Sequence, residues 1–313
     1  VEENLMVTTL ILTRAVQIGA SILITGIFTF GLMLRLTGPS QNDELNEIER
    51  CLFRLAFWNL IVAFLSALLW FLLEVANMNE LSLKSALSMP AGGAVLFETR
   101  FGRIWQLRLG LIAAAFVTVA SGLAQAKART PMVVILWMLS IVLLASLAWI
   151  SHAAAATTDL FGVSGDMLHL CAAGLWIGGL VPLAIFLART RASFSLGETI
   201  ARVVRRFSTL SLWCVSVLVV SGISNSWLLV GSISALFETT YGRFLLVKLT
   251  LFAILIAIGA RNRFLIKAKP LKGSFGPNVI SQLRRNAIYE AWLGSAVVVI
   301  VACLGVTPPA RHP

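Results

Sequence analysis

The chain has 313 residues, 58% of them apolar and only 12% charged, and it carries a net charge of +11. So much apolar surface excludes disorder, a collagen-like fibre and an ordinary soluble domain, whose charged fraction is roughly twice as large. Four Cys without CxxC or CxxCH spacing exclude a disulfide scaffold, a zinc ribbon and covalent c-type haem attachment.

A helix needs about 20 apolar residues to cross the hydrocarbon core. Runs of that length bounded by charges predict an all-α membrane protein with eight transmembrane helices, at 9–36, 53–76, 104–124, 131–150 (running on to Ala156), 165–189, 207–230, 243–262 and 287–306. The first run exceeds the apolar core of a signal peptide and is expected to stay in the mature chain. Basic residues gather in alternate connections. Arg35, Arg50 and Arg54 follow the first span and Lys127 and Arg129 the third; Arg189, Arg191, Arg202, Arg205 and Arg206 follow the fifth. Arg261, Arg263, Lys267, Lys269, Lys272, Arg284 and Arg285 follow the seventh, so these connections hold 17 of the 25 basic residues, while 151–164 has none. The positive-inside rule then puts both termini and 151–164 on the outer side of the lipid bilayer. The charge is thus an orientation signal, and no nucleic-acid partner is expected.

Residues 96–109 (LFETRFGRIWQLRL) and 236–249 (LFETTYGRFLLVKL) share seven of 14 positions at an offset of 140. Two parallel four-helix halves, 1–150 and 151–313, are the expected architecture. Repeat-built membrane proteins often place their site at the repeat interface, which favours a transporter; a purely architectural duplication is the alternative. No GxxxxGK[ST] loop is present and the basic connections are too short for a nucleotide-binding domain, so ATP coupling within the chain is not expected. Without a Ser/His/Asp grouping or HExxH, neither is a hydrolytic enzyme.

All three histidines, His152, His169 and His312, fall at or beyond the outer face. His152 ends the fourth span, and His169 lies one turn into the fifth, so the two imidazoles are expected at a similar depth if the fourth helix continues to Ala156. Ionisable side chains there make a functional-site hypothesis: a metal site of His152 and His169, with Asp166 as a ligand or as the group that orients the imidazole. Two interfacial histidines bonded to backbone are the alternative. Met167 and Cys171 are less favoured ligands, because at about 100° per residue they point away from His169 and Trp176. They share their side with Gly174 and Gly178, spaced to admit another helix. Met6, Met78, Met89 and Met167 lie on the outer side, and thioether with imidazole suits Cu(I) better than Cu(II) or a hard cation. Arg108 and Lys248 occupy equivalent repeat positions, as do Glu98 and Glu238; snorkelling or pairing with glutamate is expected to satisfy the cations, with a gate as the alternative. Glu74, Arg14, Asn225, Ser221 and Ser224 are further candidates for a polar path.

From His152 onward, the segments SHAAAA, DMLHLCAAGLWIGGLVPL, RRFSTLSLWCVSVLVVSGISNSWLL and TTYGRFLLVKLTLFAILIAIGARNRF, within residues 151–264, resemble the copper resistance protein D (CopD) family of bacterial inner-membrane proteins. The first half resembles it through hydropathy and the repeat. The resemblance implies movement of copper from the periplasm across the inner membrane, alongside a periplasmic copper-binding protein, with His152 and His169 on positions matching the family's histidines. No Met-rich or His-rich external segment is present here, so high-capacity capture needs such a partner. Two other readings stay open. A b-type haem or quinone redox protein predicts a Soret band, and a non-transporting copper-binding membrane partner predicts binding without flux.

Overall fold

The computed structural model describes residues 2–37, 42–78, 86, 89–125, 130–151, 160–191, 193, 195–267 and 275–311, and among these no strand is present. The helices are, in order, α1 (Glu2–Arg35), α2 (Asp43–Met78), α3 (Met89–Glu98), α4 (Arg100–Ala124), α5 (Thr130–Ala145), α6 (Leu160–Thr190), α7 (Gly197–Val230), α8 (Ile233–Glu238), α9 (Thr240–Lys267) and α10 (Pro277–Leu304). All except α3 and α8 belong to the eight helices long and apolar enough to cross a membrane. Lipid offers no hydrogen bonds to a backbone, so a chain of this hydropathy satisfies its amides within helices. Trp213, Trp227, Phe264 and Trp292 are each at least 68% exposed, as lipid-facing residues are.

The spans outrun the apolar stretches that mark them. α2, α7 and α10 begin about ten residues earlier, in Asp43–Arg50, Gly197–Arg206 and Pro277–Asn286, because hydropathy registers only the part of a helix in hydrocarbon. The fourth span ends at Ile150: α5 tightens to a 3₁₀ turn over Ser146–Ile150, and Ser151 is extended at φ −88 and ψ 165, while the extension to Ala156 lies outside the described residues. His152 and His312 lie outside the described residues.

α1, α2, α4 and α5 close one ring of neighbouring helices, and α6, α7, α9 and α10 close another. α1 and α6 join the rings, with α10 packed on α1 and α5 on α6. α1 is therefore the central helix: 67% of its apolar window is buried, against 11% for α9. At the α1/α6 crossing a Cβ on Gly26 would overlap the backbone of Gly178 and Gly179, and one on Gly178 would overlap the carbonyl of Ile22. The Gly174/Gly178 face thus meets another helix at backbone distance, as a small-residue stripe permits. Contacts between spans define two ends. Arg206 bonds Leu36 and Arg263 bonds Ser208 at the basic end, whereas Gly305 lies beside Arg14 and Arg311 bonds Leu229 at the terminal end.

The repeated segment folds the same way twice. Thr99 Oγ1 accepts from Gly102 N at 2.9 Å and Thr239 Oγ1 from Gly242 N at 3.0 Å, capping α4 and α9. In both copies the glycine presses on carbonyl oxygens of the preceding short helix, Val95 and Leu96 or Ala235 and Leu236. The FET-x-x-G string is therefore a turn device: threonine caps and glycine admits the short helix. Thr99→Ala and Thr239→Ala are each expected to cost about 1 kcal/mol, and Gly102→Ala more, read as melting temperature in detergent.

Candidate functional site

At the terminal end of the second ring, α6 lies against α7 so that Asp166 meets Asn225 and, one turn on, His169 meets Ser221. Asn225 Nδ2 donates to Asp166 Oδ1 at 3.3 Å, and His169 Nδ1 lies 3.0 Å from Ser221 Oγ. The serine hydroxyl donates its single proton to the carbonyl of Val217 at 2.6 Å. A serine that donates there accepts from the imidazole, which is the tautomer with the histidine proton on Nδ1 and the Nε2 lone pair free. Asn225 Oδ1 is buried without a hydrogen-bond partner among the described residues. Lys248, half-buried on α9, lies within electrostatic range of Asp166 and His169. The cluster presents an imidazole nitrogen, a carboxylate and an amide oxygen, which are ligand atoms for a cation.

His152 is the residue that follows Ser151, and it lies outside the described residues. Met167 and Cys171 are half-buried, on the side of α6 that carries Gly174 and Gly178 toward α1. Among the described residues no three His, Cys, Asp or Glu side chains are grouped to hold a metal ion. Any metal held here by described residues would take His169 and Asp166 with amide or water oxygens.

The repeat-related cations have diverged. Arg108 neither snorkels nor pairs with glutamate: it is wholly buried and donates from Nη1 to Leu143 O and Ser146 Oγ, both at 2.7 Å. Glu98 and Glu238 are exposed. The driving contrast is local, since Arg108 stacks on Trp105 whereas Lys248 has a carboxylate at Asp166 in range. Around Arg108 the first ring holds a string of polar groups that sequence reading missed in part. Gln17 accepts from Ser66 at 2.5 Å, Arg14 lies over Trp70, and Trp70 donates to Glu74. Four buried nitrogens here have no hydrogen-bond partner among the described residues, Arg14 Nε, Gln17 Nε2, Trp105 Nε1 and Arg108 Nε. The interior of the first ring is thus rich in donors and positive charge.

Glu290, Asn262 and Asn286 also went unread. Asn262 Nδ2 donates to Glu290 Oε1 and Asn286 Nδ2 to Asn262 Oδ1, both at 2.6 Å. The available signal was a lone acid inside the last apolar run.

The description "Copper resistance protein D" matches residues 201–304, and "Copper resistance protein D-like, N-terminal domain" matches residues 5–163. The chain is 30% identical over 232 residues to copper resistance protein D of Pseudomonas syringae pv. tomato, a match covering 71% of this chain and 73% of that protein. It is 30% identical over 224 residues to copper transport protein CutJ of Bacillus subtilis, covering 70% of this chain but only 39% of that relative, so it spans well under half the relative's length. Inner membrane protein YebZ of Escherichia coli is 27% identical over 223 residues, covering 68% of this chain and 71% of the relative. No solved structure matches.

Proposed function

The chain belongs to the copper resistance protein D family, and from that premise we propose that it is an inner-membrane copper transport protein, moving copper from periplasm to cytoplasm without hydrolysing ATP itself. The observation that carries this reading is the cluster of ligand atoms at the terminal end: the His169 imidazole, the Asp166 carboxylate and the unpartnered Asn225 Oδ1. The positive-inside rule assigns the basic end to the cytoplasm, which turns this cluster toward the periplasm. A periplasmic copper-binding protein delivers the ion, and His152 joins His169 as the second imidazole. Imidazole and thioether chemistry on this side favours Cu(I).

The cargo path follows the second ring and its seam with α1, because the first ring would repel a cation: Arg14 and Arg108 are buried there with Glu74 as the acid at Arg14. Lys248 acts as the gate, its charge balancing Asp166 while the site is empty and opposing a second cation once copper arrives. The two rings correspond in this reading to the halves 1–150 and 151–313, with the site beside their junction.

The test is copper flux in proteoliposomes holding the full chain, with each oxidation state offered in turn. Uptake above protein-free vesicles is expected, falling at least about tenfold in a His152→Ala, His169→Ala double variant at equal incorporation. Wild-type uptake by the double variant overturns the site assignment. Binding without uptake in the unmodified chain overturns transport.

A further inference from the structure

Glu290 is 3% exposed and lies on α10 about one turn inside the last apolar run, past Arg284, Arg285 and Asn286. Its Oε1 is taken by Asn262, whose own oxygen is taken by Asn286. Its Oε2 has no hydrogen-bond partner among the described residues, and Glu290 lines a cavity of about 160 Å³ between α6, α7, α9 and α10. That volume has room for several waters. It runs from Trp176, near the middle of α6, past Glu290 to Leu187, Val204, Ile266 and Leu283, which lie near the basic end of their helices.

The lining settles what such a site takes. It contains no Cys, Met or His, so a soft copper ion finds no ligands there. A hard metal cation needs several oxygens, yet the Asn262 oxygen is committed, the Ser208 hydroxyl accepts from Arg263, and Ser211 Oγ donates to Phe207. One free carboxylate oxygen facing water in an apolar chamber fits a proton. Arg263 is the charged neighbour in the cavity, and it is held on Ser208 O and Oγ at 3.1 and 3.3 Å rather than on Glu290. α6 contributes Trp176 and α7 the two serines; α1, packed on another face of α10, brings Arg14 only to Gly305, roughly 22 Å along the helix from Glu290. A buried ionisable group inside a membrane span marks an ion pathway by default.

We infer that Glu290 is a proton-binding site loaded from the basic end, and that its protonation is coupled to passage of the cation cargo. An O–H bond to Oε2 forms as a hydronium O–H bond in the cavity breaks; release reverses this, and nothing is oxidised or reduced. The coupling rests on the transport reading above, whereas the proton site does not.

Two measurements on the full chain in lipid keep these apart. In copper-free infrared difference spectra between acidic and neutral buffer, a protonated-carboxyl C=O band is expected in the unmodified chain and in Asp166→Asn, and missing in Glu290→Gln. In proteoliposomes with a lumenal pH dye, an imposed proton gradient is expected to change copper uptake several-fold. Glu290→Gln should remove that dependence together with copper-driven proton movement, while Glu290→Asp, which keeps a titratable group, should retain part of both and controls for folding. A spectrum of Glu290→Gln identical to that of the unmodified chain overturns the proton site. Unchanged gradient dependence in Glu290→Gln overturns the coupling. If the unmodified chain moves no copper, the transport reading and the coupling fall together, and the infrared band still decides the proton site.

Discussion

Placing even a methyl group on Gly178 or Gly26 is expected to destroy the folded protein: Gly178→Ala and Gly26→Ala should each lose about 3 kcal/mol or more, and most of the monodisperse material in detergent. Overpacking a well-filled interior typically costs 1 to 3 kcal/mol when side chains can shift. Here the obstacle is backbone. A Cβ on Gly178 meets the carbonyl of Ile22, and one on Gly26 meets the peptide joining Gly178 to Gly179, so relief requires α1 and α6 to separate. That crossing joins the two rings, and α1 is the most buried span. Gly110, with nothing within 4 Å of an added Cβ, is the internal control. Gly110→Ala should be neutral or slightly stabilising, because it restricts the unfolded chain. Fluorescence-detected size exclusion with a thermal ramp reads all three; a normal melting temperature for Gly178→Ala would contradict the crossing.

Copper binding should respond in a graded way at the α6/α7 contact. His169→Ala is expected to lower affinity at the terminal-end site by about a hundredfold or more, since it removes a nitrogen lone pair that nothing nearby replaces. Ser221→Ala should cost about ten- to a hundredfold, the usual range for a group that orients a metal-binding imidazole. The serine holds the proton on Nδ1 and so presents Nε2 to a metal; its loss frees the ring to turn or to change tautomer. Asn225→Ala removes both the donor to Asp166 and a buried acceptor, and is expected to fall between the two. Cys171→Ser should leave affinity unchanged, because Cys171 shares the side of α6 that packs on α1. Titration of purified variants with copper in competition with a chelator of known affinity measures the series. If Cys171→Ser equals His169→Ala, the ligands lie on the other face of the helix.

The span count, the basic end and the separation of His169 from Cys171 were all legible in the residues, because each depends on a local period. Hydrophobic runs report length against the membrane, and the helical period reports which residues share a face. The Gly174/Gly178 stripe was visible for the same reason, and α1 packs where it predicted a close neighbour. The FET-x-x-G repeat was recognisable as a repeat, yet its work as a cap and close-packed turn emerged only with coordinates.

Which partners those faces meet is another matter. Ser221 and Asn225 stood out as polar residues in a span, but their distance in sequence from Asp166 and His169 concealed that α7 presents them to that pair. Arg108 and Lys248 looked equivalent because the repeat aligns them, and packing made one a buried anchor on the α5 turn and the other a half-buried neighbour of Asp166. Glu290 drew no attention as one acid in an apolar run, until α9 supplied Asn262 and four helices left a cavity at its free oxygen. By itself the sequence determined that the chain crosses a membrane eight times, how its charges divide between the two ends, and which residues share a helix face, since these follow from composition and periodicity. Only the tertiary structure decided which of those faces meet, because hydrogen-bond partners and cavities between spans depend on helix neighbours that no local pattern encodes.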